Sequence, residues 1–215
     1  MRRLVRLTVV LTISIATAAA GPAATRPAPR VVQDHFPASQ PARPKTLVFL
    51  CDGSAQMKSK QKTLQLELKK AIEKLEADQS FNVIVFRDGE STAAFGAVGP
   101  QPVNPENSKV AKLFIDAVDA RGKSGAIKGI EEVFRNQPPP DMCFLLFCGV
   151  DLGDAKKLGD RIRALNVGQK TTINTVLMVS SRQEMDATRP IMAAIQAIAT
   201  DNGGFFKLAD ANALP

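Results

Sequence analysis

The chain of 215 residues has no tryptophan and no tyrosine, and its one histidine is His35. His35 lies in a proline-rich stretch, so the rest of the sequence holds no imidazole. This excludes Ser-His-Asp and Cys-His nucleophile chemistry and histidine-based zinc sites from the folded part. Cysteine is scarce as well: Cys51, Cys143 and Cys148 are the full set, and no two form a Cys-x-x-Cys pair. That removes the usual thiol redox motif and leaves a Cys148-based hydrolase or redox protein as the weaker functional class. An odd number leaves at least one thiol unpaired within the chain, and all three sit in apolar runs, where cysteine behaves as a small hydrophobe.

Acidic residues are the minority, with 21 Asp and Glu against 28 Lys and Arg and a net charge of +7. The excess is concentrated at the start: residues 1–44 hold six arginines and one acid, Asp34, which leaves only +2 for residues 45–215. Within that part lysine and acid alternate along helices, as in Glu67-Leu68-Lys69-Lys70-Ala71-Ile72-Glu73-Lys74. A nucleic-acid-binding surface gathers basic residues on one face, so this pattern argues for a solvated helix and against nucleic acid as a partner.

Residues 1–20 read as a secretory signal. Arg2, Arg3 and Arg6 precede a mostly apolar Leu7–Ala16, and Ala18-Ala19-Ala20 offers small residues for cleavage. A bilayer span needs about 20 apolar residues; Leu7 to Ala20 is shorter and diluted by Thr8, Thr12, Ser14 and Thr17. Export is therefore expected, with membrane association only through an uncleaved signal. Residues 21–44, with six prolines, read as an extended linker. One domain is expected over residues 45–215.

Within it, Lys45–Cys51, Phe81–Phe86, Cys143–Val150 and Ile173–Val179 are apolar runs of strand length, and Gly204–Leu208 is a last short one. Helices are expected over Met57–Ala77, from Asn104-Pro105 to about Ala120, over the segment with Ile127, Ile130, Val133 and Phe134, over Ala155–Leu165, and around Met192–Ala199. Val110, Leu113, Phe114 and Val118 mark the expected apolar stripe of the second of these. Ser91–Val98 is placed as a short antiparallel edge after the turn at Arg87–Glu90. The alternation predicts an α/β fold: a doubly wound, mostly parallel central sheet with one antiparallel edge strand and helices on both faces.

The first strand ends in Asp52-Gly53-Ser54, an acid and a hydroxyl in one turn before a helix. At the carboxyl end of a buried parallel strand this is an oxygen site suited to a hard cation. Asp52 capping the helix entry, with Ser54 bonding the turn backbone, is the plainer reading of the same residues. Gly122-Lys123-Ser124 lacks the earlier glycine of a phosphate loop, since position 117 is Ala117, which excludes that motif.

Four stretches in this order resemble the von Willebrand factor type A domain over about residues 45–210. They are Phe49–Ser54, Phe81–Phe86, the glycine-rich loop before Ala126–Ile130, and Ile198–Phe205. The resemblance implies a Rossmann-like interaction module, not an enzyme, with a metal-ion-dependent adhesion site holding Mg²⁺ or Mn²⁺ and taking its last ligand from an acidic side chain of a protein partner. Carried over, Asp52, Ser54 and Ser124 are the implied metal ligands. The second serine of the first loop is Gln56, and the aspartate after the central strand is Cys148, a soft and poor ligand for Mg²⁺. Asp151 follows three residues later. Gln56, Cys148 and Asp151 are thus placed in partner-binding loops around a degenerate site. In such a fold Cys51 and Cys148 come near one another at strand ends, with buried thiols favoured over a disulfide.

Overall fold

The computed structural model describes residues 43–87, 92–135, 138–148 and 155–212. The expected signal, nearly all of the linker, the turn after Arg87 and Asp151 lie outside the described residues.

Strands β1 (Thr46–Asp52), β2 (Ser80–Phe86), β5 (Met142–Cys148), β6 (Thr172–Val179) and β7 (Phe206–Asp210) form a parallel sheet. Two short antiparallel pieces, β3 (Ala93–Ala94) and β4 (Gln101–Pro102), both pair with β2. The strand order is β3-β2-β1-β5-β6-β7. Of the edge expected over Ser91–Val98 only β3 forms, and a second antiparallel piece, β4, lies beyond it. Asn82 makes the break between them: its side chain donates to Gly96 O at 2.9 Å and accepts from Gly96 N at 2.8 Å, pinning the loop between the pieces.

Side-chain alternation along each strand builds two cores. Leu47, Phe49 and Cys51 face α1 (Gln61–Glu73) and α2 (Pro105–Ala117) together with Phe144, Leu146 and Cys148. Val48 and Leu50 face the other way, with Cys143, Leu145 and Phe147, against α3 (Ala126–Val133), α4 (Ala155–Leu165) and α5 (Arg182–Asp201). Phe49 and Phe144 stack across β1 and β5 at 5.5 Å between ring centres. These strands are hydrophobic throughout because helices cover both faces.

Several expected details are corrected. The first helix does not run from Met57 to Ala77: a 3-10 turn at Ala55–Met57 precedes α1, which ends at Glu73. Helix α2 stops at Ala117 and buries Ala111 and Ile115, while Val110 and Leu113 are exposed. Of the expected stripe, Phe114 and Val118 do pack, partly buried, against the core. Ile127 also points outward. Helix α5 extends back through Pro190 to Arg182, where the Ser181 hydroxyl accepts from Glu184 N at 3.1 Å. The last strand begins at Phe206 instead of Gly204. Among the described residues no helix is long and apolar enough to cross a membrane.

Candidate functional site

The chain leaves β1 toward β2 on one side and returns to β5 on the other, so strand order reverses between β1 and β5. Open α/β sheets bind ligands in the crevice at that switch point, beyond the carboxyl ends of the strands. Asp52 ends β1 and Cys148 ends β5, which places both at the crevice.

Asp52, Ser54 and Cys148 are each 1 % exposed. The Ser54 backbone N–H donates to Asp52 Oδ1 at 2.8 Å, and the Cys148 thiol donates to Asp52 Oδ2 at 3.5 Å. Ser54 Oγ lies 3.8 Å from the same sulfur and Gln56 Oε1 4.0 Å from it. The carboxylate thus bonds the turn, as the plainer reading expects. The Ser54 hydroxyl does not: it faces Cys148, and the short turn it precedes has no side-chain cap.

Backbone hydrogen bonds fix the loop. Gly53 N donates to Phe86 O at 3.0 Å, while Gly53 O accepts from Arg121 N at 2.9 Å and from Arg87 Nε at 3.0 Å. A Cβ at position 53 would lie 2.6 Å from Val85 Cγ1, so only glycine fits beside Arg87. Ala55 N donates to Gly122 O at 3.0 Å, and Gly122 has φ +68°, the left-handed region that glycine tolerates. The Ser124 loop is thereby tied to the first loop. Ser124 Oγ is buried with no hydrogen-bond partner among the described residues.

Burial pushes the Asp52 carboxyl above its usual range, and hydrogen bonds from Ser54 and Cys148 oppose that rise. Burial, followed by the negative charge of Asp52, pushes the Cys148 thiol up to about 12. Cys143 is also pushed up to about 12 by burial, and Cys51 is raised for the same leading reason. All three cysteines are free thiols, so the disfavoured disulfide is not formed. Thiols held protonated make poor nucleophiles.

The structure brings Asp52, Ser54, Gln56 and Cys148 together and ties the Ser124 loop beside them. Asp151 lies outside the described residues. Among the described residues no three His, Cys, Asp or Glu side chains gather as a metal site. The local donor set is one carboxylate with hydroxyl, amide and sulfur atoms, which does not fit an ion that favours carboxylate oxygen and near-octahedral geometry.

Sequence reasoning missed two supports. Arg87, which follows β2, holds Gly53 O and also donates to Asp119 O. Lys60 is buried, donates to Gln56 O at 3.1 Å, and pairs with Glu184 at 2.8 Å. A charged residue directly after the apolar Val83–Phe86 end of β2 was the available signal for Arg87; nothing local marks Lys60.

A doubly wound sheet with an Asp-x-Ser turn at its switch point defines an α/β binding domain. The von Willebrand factor type A domain model matches residues 45–206, and the chain belongs to that family. No curated protein matches the sequence. Among solved structures, a von Willebrand factor type A protein from Catenulispora acidiphila is similar at 18% identity and TM-score 0.56, over 74% of this chain and 41% of that one. The pilus adhesin SpaC from Lactobacillus rhamnosus GG is similar at 12% identity and TM-score 0.63, over 81% of this chain and 29% of the other. Proximal thread matrix protein 1 from the mussel byssus, with zinc occupying its adhesion motif, is similar at 16% identity and TM-score 0.53, over 78% and 42%. This chain spans less than half the length of each of the three, and at these identities the likeness is one of fold.

Proposed function

We propose that the protein is an exported, non-enzymatic interaction module that binds a protein partner through the loops at the carboxyl edge of its sheet. Family membership over residues 45–206 carries this reading, since von Willebrand type A domains are interaction modules. The partner surface is formed by the loops around Asp52–Gln56, Ser124 and Cys148–Asp151. The adhesion site at its centre is degenerate, and partner binding does not require Mg²⁺. Residues 1–20 direct export, and residues 21–44 are a tether that holds the domain away from the membrane or from another envelope component.

Photo-crosslinking in the intact protein tests this. A crosslinker at exposed Lys58 or Lys123, beside the site, should give a discrete protein adduct that survives chelator. The same group at Val167, exposed in the α4–β6 loop at the opposite sheet edge, should not. Adducts from Val167 alone would sink the assignment of the surface. The second reading, a working cation-dependent adhesion domain, draws on the buried, unpartnered Ser124 hydroxyl in the loop tied to Ala55; adducts lost in chelator would establish it.

A further inference from the structure

The von Willebrand type A reading, on which this inference rests, places a hard cation among Asp52, Ser54, Ser124 and a second carboxylate. Among the described residues no second carboxylate joins Asp52 and Cys148 in a metal-holding cluster, and Cys148 stands at the end of β5 where that carboxylate would be. We infer that the Cys148 S–H group substitutes for the ion: it bonds Asp52, fills the space between the loop oxygens, and makes the domain independent of cations.

Occupancy is the first support. Asp52 Oδ1 is engaged by the Ser54 N–H at 2.8 Å and Oδ2 by the Cys148 S–H at 3.5 Å. Ser54 Oγ and Gln56 Oε1 lie 3.8 Å and 4.0 Å from the same sulfur. One bulky atom thus sits within contact range of all three loop oxygens. A magnesium ion needs about six oxygens at about 2.0–2.1 Å, and a sulfur in their midst both blocks that approach and contributes a ligand of the wrong softness.

Loop order is the second. A cation would ordinarily gather these strand ends, but here protein groups do so. Phe86 O, Arg121 N and Arg87 Nε hold Gly53, Gly122 O holds Ala55, and Lys60 Nζ holds Gln56 O. The loop is arranged in advance, which lowers the ordering cost on partner binding. An acidic partner side chain loses its metal bridge, so recognition runs through the exposed loop residues themselves.

The test restores the missing carboxylate. Thermal unfolding of the full protein is followed in Mg²⁺, Mn²⁺ or chelator for the wild type, Cys148→Ser and Cys148→Asp. The wild type should be unmoved at millimolar cation, and Cys148→Ser should respond less than Cys148→Asp, because serine supplies an oxygen but no negative charge. Cys148→Asp should gain a cation-dependent rise of at least about 5 °C, the scale of a native-state ligand near a hundred times its Kd. A rise in the wild type overturns the inference, as does a folded Cys148→Asp that does not respond.

Should the aspartate variant fail to fold, Raman spectroscopy of the wild type decides. An S–H stretch lowered by donation to Asp52, lost in Cys148→Ala, supports the inference. Absence of that band, or a thiolate-to-metal absorption on adding Cd²⁺, overturns it by showing that the thiol does not hold its proton against Asp52. The crosslinking pattern from Lys58, Lys123 and Val167 reports on the partner surface independently, so either conclusion can fall without the other.

Discussion

Lys60 Nζ lies 2.8 Å from Glu184 Oε1, with the lysine side chain 2% exposed and the glutamate 29%. The pair ties the entry of α1, next to the site loop, to the first turn of α5 at the far side of the crevice. Lys60 also donates to Gln56 O, and Glu184 accepts from Ser180 N at 2.6 Å and Ser180 Oγ at 3.0 Å. The two partners are not equivalent. Glu184 keeps the Ser180 bonds if Lys60 is lost, whereas Lys60 without Glu184 is a buried cation with only neutral acceptors. Glu184→Gln should therefore cost about 3 kcal/mol and Lys60→Met about 1 kcal/mol. Urea unfolding of both variants checks the order; equal losses would show that the ammonium gains little from the carboxylate.

The same pair gives a pH dependence with a definite sign. Burial alone would raise the Glu184 carboxyl, but the hydrogen bond from Lys60, with those from Ser180, holds it below its ordinary value. A depressed folded-state pKa contributes stability that is fully present above the unfolded value. It is lost as pH falls from about 4.3 through the folded value. Wild-type stability should drop across that window, and Glu184→Gln should remove this part of the slope. Parallel pH profiles for the two proteins would refute the assignment.

Gly129, on the buried side of α3, is fixed by space and not by backbone conformation. A Cβ there would meet Phe86 Cβ at 2.8 Å, Phe86 Cγ at 2.9 Å and Leu50 Cδ1 at 3.0 Å. Helix propensity favours alanine over glycine by about 1 kcal/mol, while overpacking a tight contact costs about 1–3 kcal/mol. The steric cost should prevail because both neighbours are buried strand side chains, Phe86 at 0% exposure and Leu50 at 0%. Gly129→Ala should lower stability in a denaturant titration; a net gain would mean that α3 can shift away from the sheet.

The cysteines give a chemical readout of the packing. In the parallel register Cys51 pairs with Leu146, so Cys148 lies two residues past the level of Cys51. A thiol reagent should label none of the three cysteines in the native protein and all three in denaturant, and reductant should leave the Tm unchanged. Rapid labelling of a single native thiol would show that Cys148 opens to solvent.

Much of the fold was legible because its strands are continuous apolar runs. β1, β2 and β6 fall within a residue of their expected bounds, as does the start of β5, and the family motifs order them. The apolar partners Phe49 and Phe144 need only strand length and hydrophobicity to be recognised. What escaped depends on distance or on competition. Lys60, flanked by Ser59 and preceded by Lys58, reads as a solvated charge, and its partner lies 124 positions away. Pro190 hides the first half of α5, since proline removes a helix hydrogen bond and usually marks a boundary. At the site, Asp52, Ser54 and the Cys148 departure were all visible, but the thiol bond to Asp52 needed the register of β1 against β5.

Helix α2 carries two apolar stripes, and pattern alone cannot choose between them. Val110 and Leu113 lie on the outer one at 48% and 60% exposure, while Ala111 and Ile115 face the core at 0% and 1% with Phe114 packed partly buried beside them. Placement is reinforced by Gln65 Nε2, which donates to Ile115 O at 2.9 Å, and by the ion pair of Lys112 with Glu73 at 2.6 Å. Both bonds come from α1 and fix the rotation of α2 about its axis. Ile115→Ala should then cost about 2–5 kcal/mol through lost burial and a cavity, and Leu113→Lys should stay within about 0.5 kcal/mol of the wild type. Chemical denaturation of both variants measures the difference. A severe loss from Leu113→Lys with full-length protein would mean that the outer stripe is covered in solution, by another copy or by a segment outside the described residues.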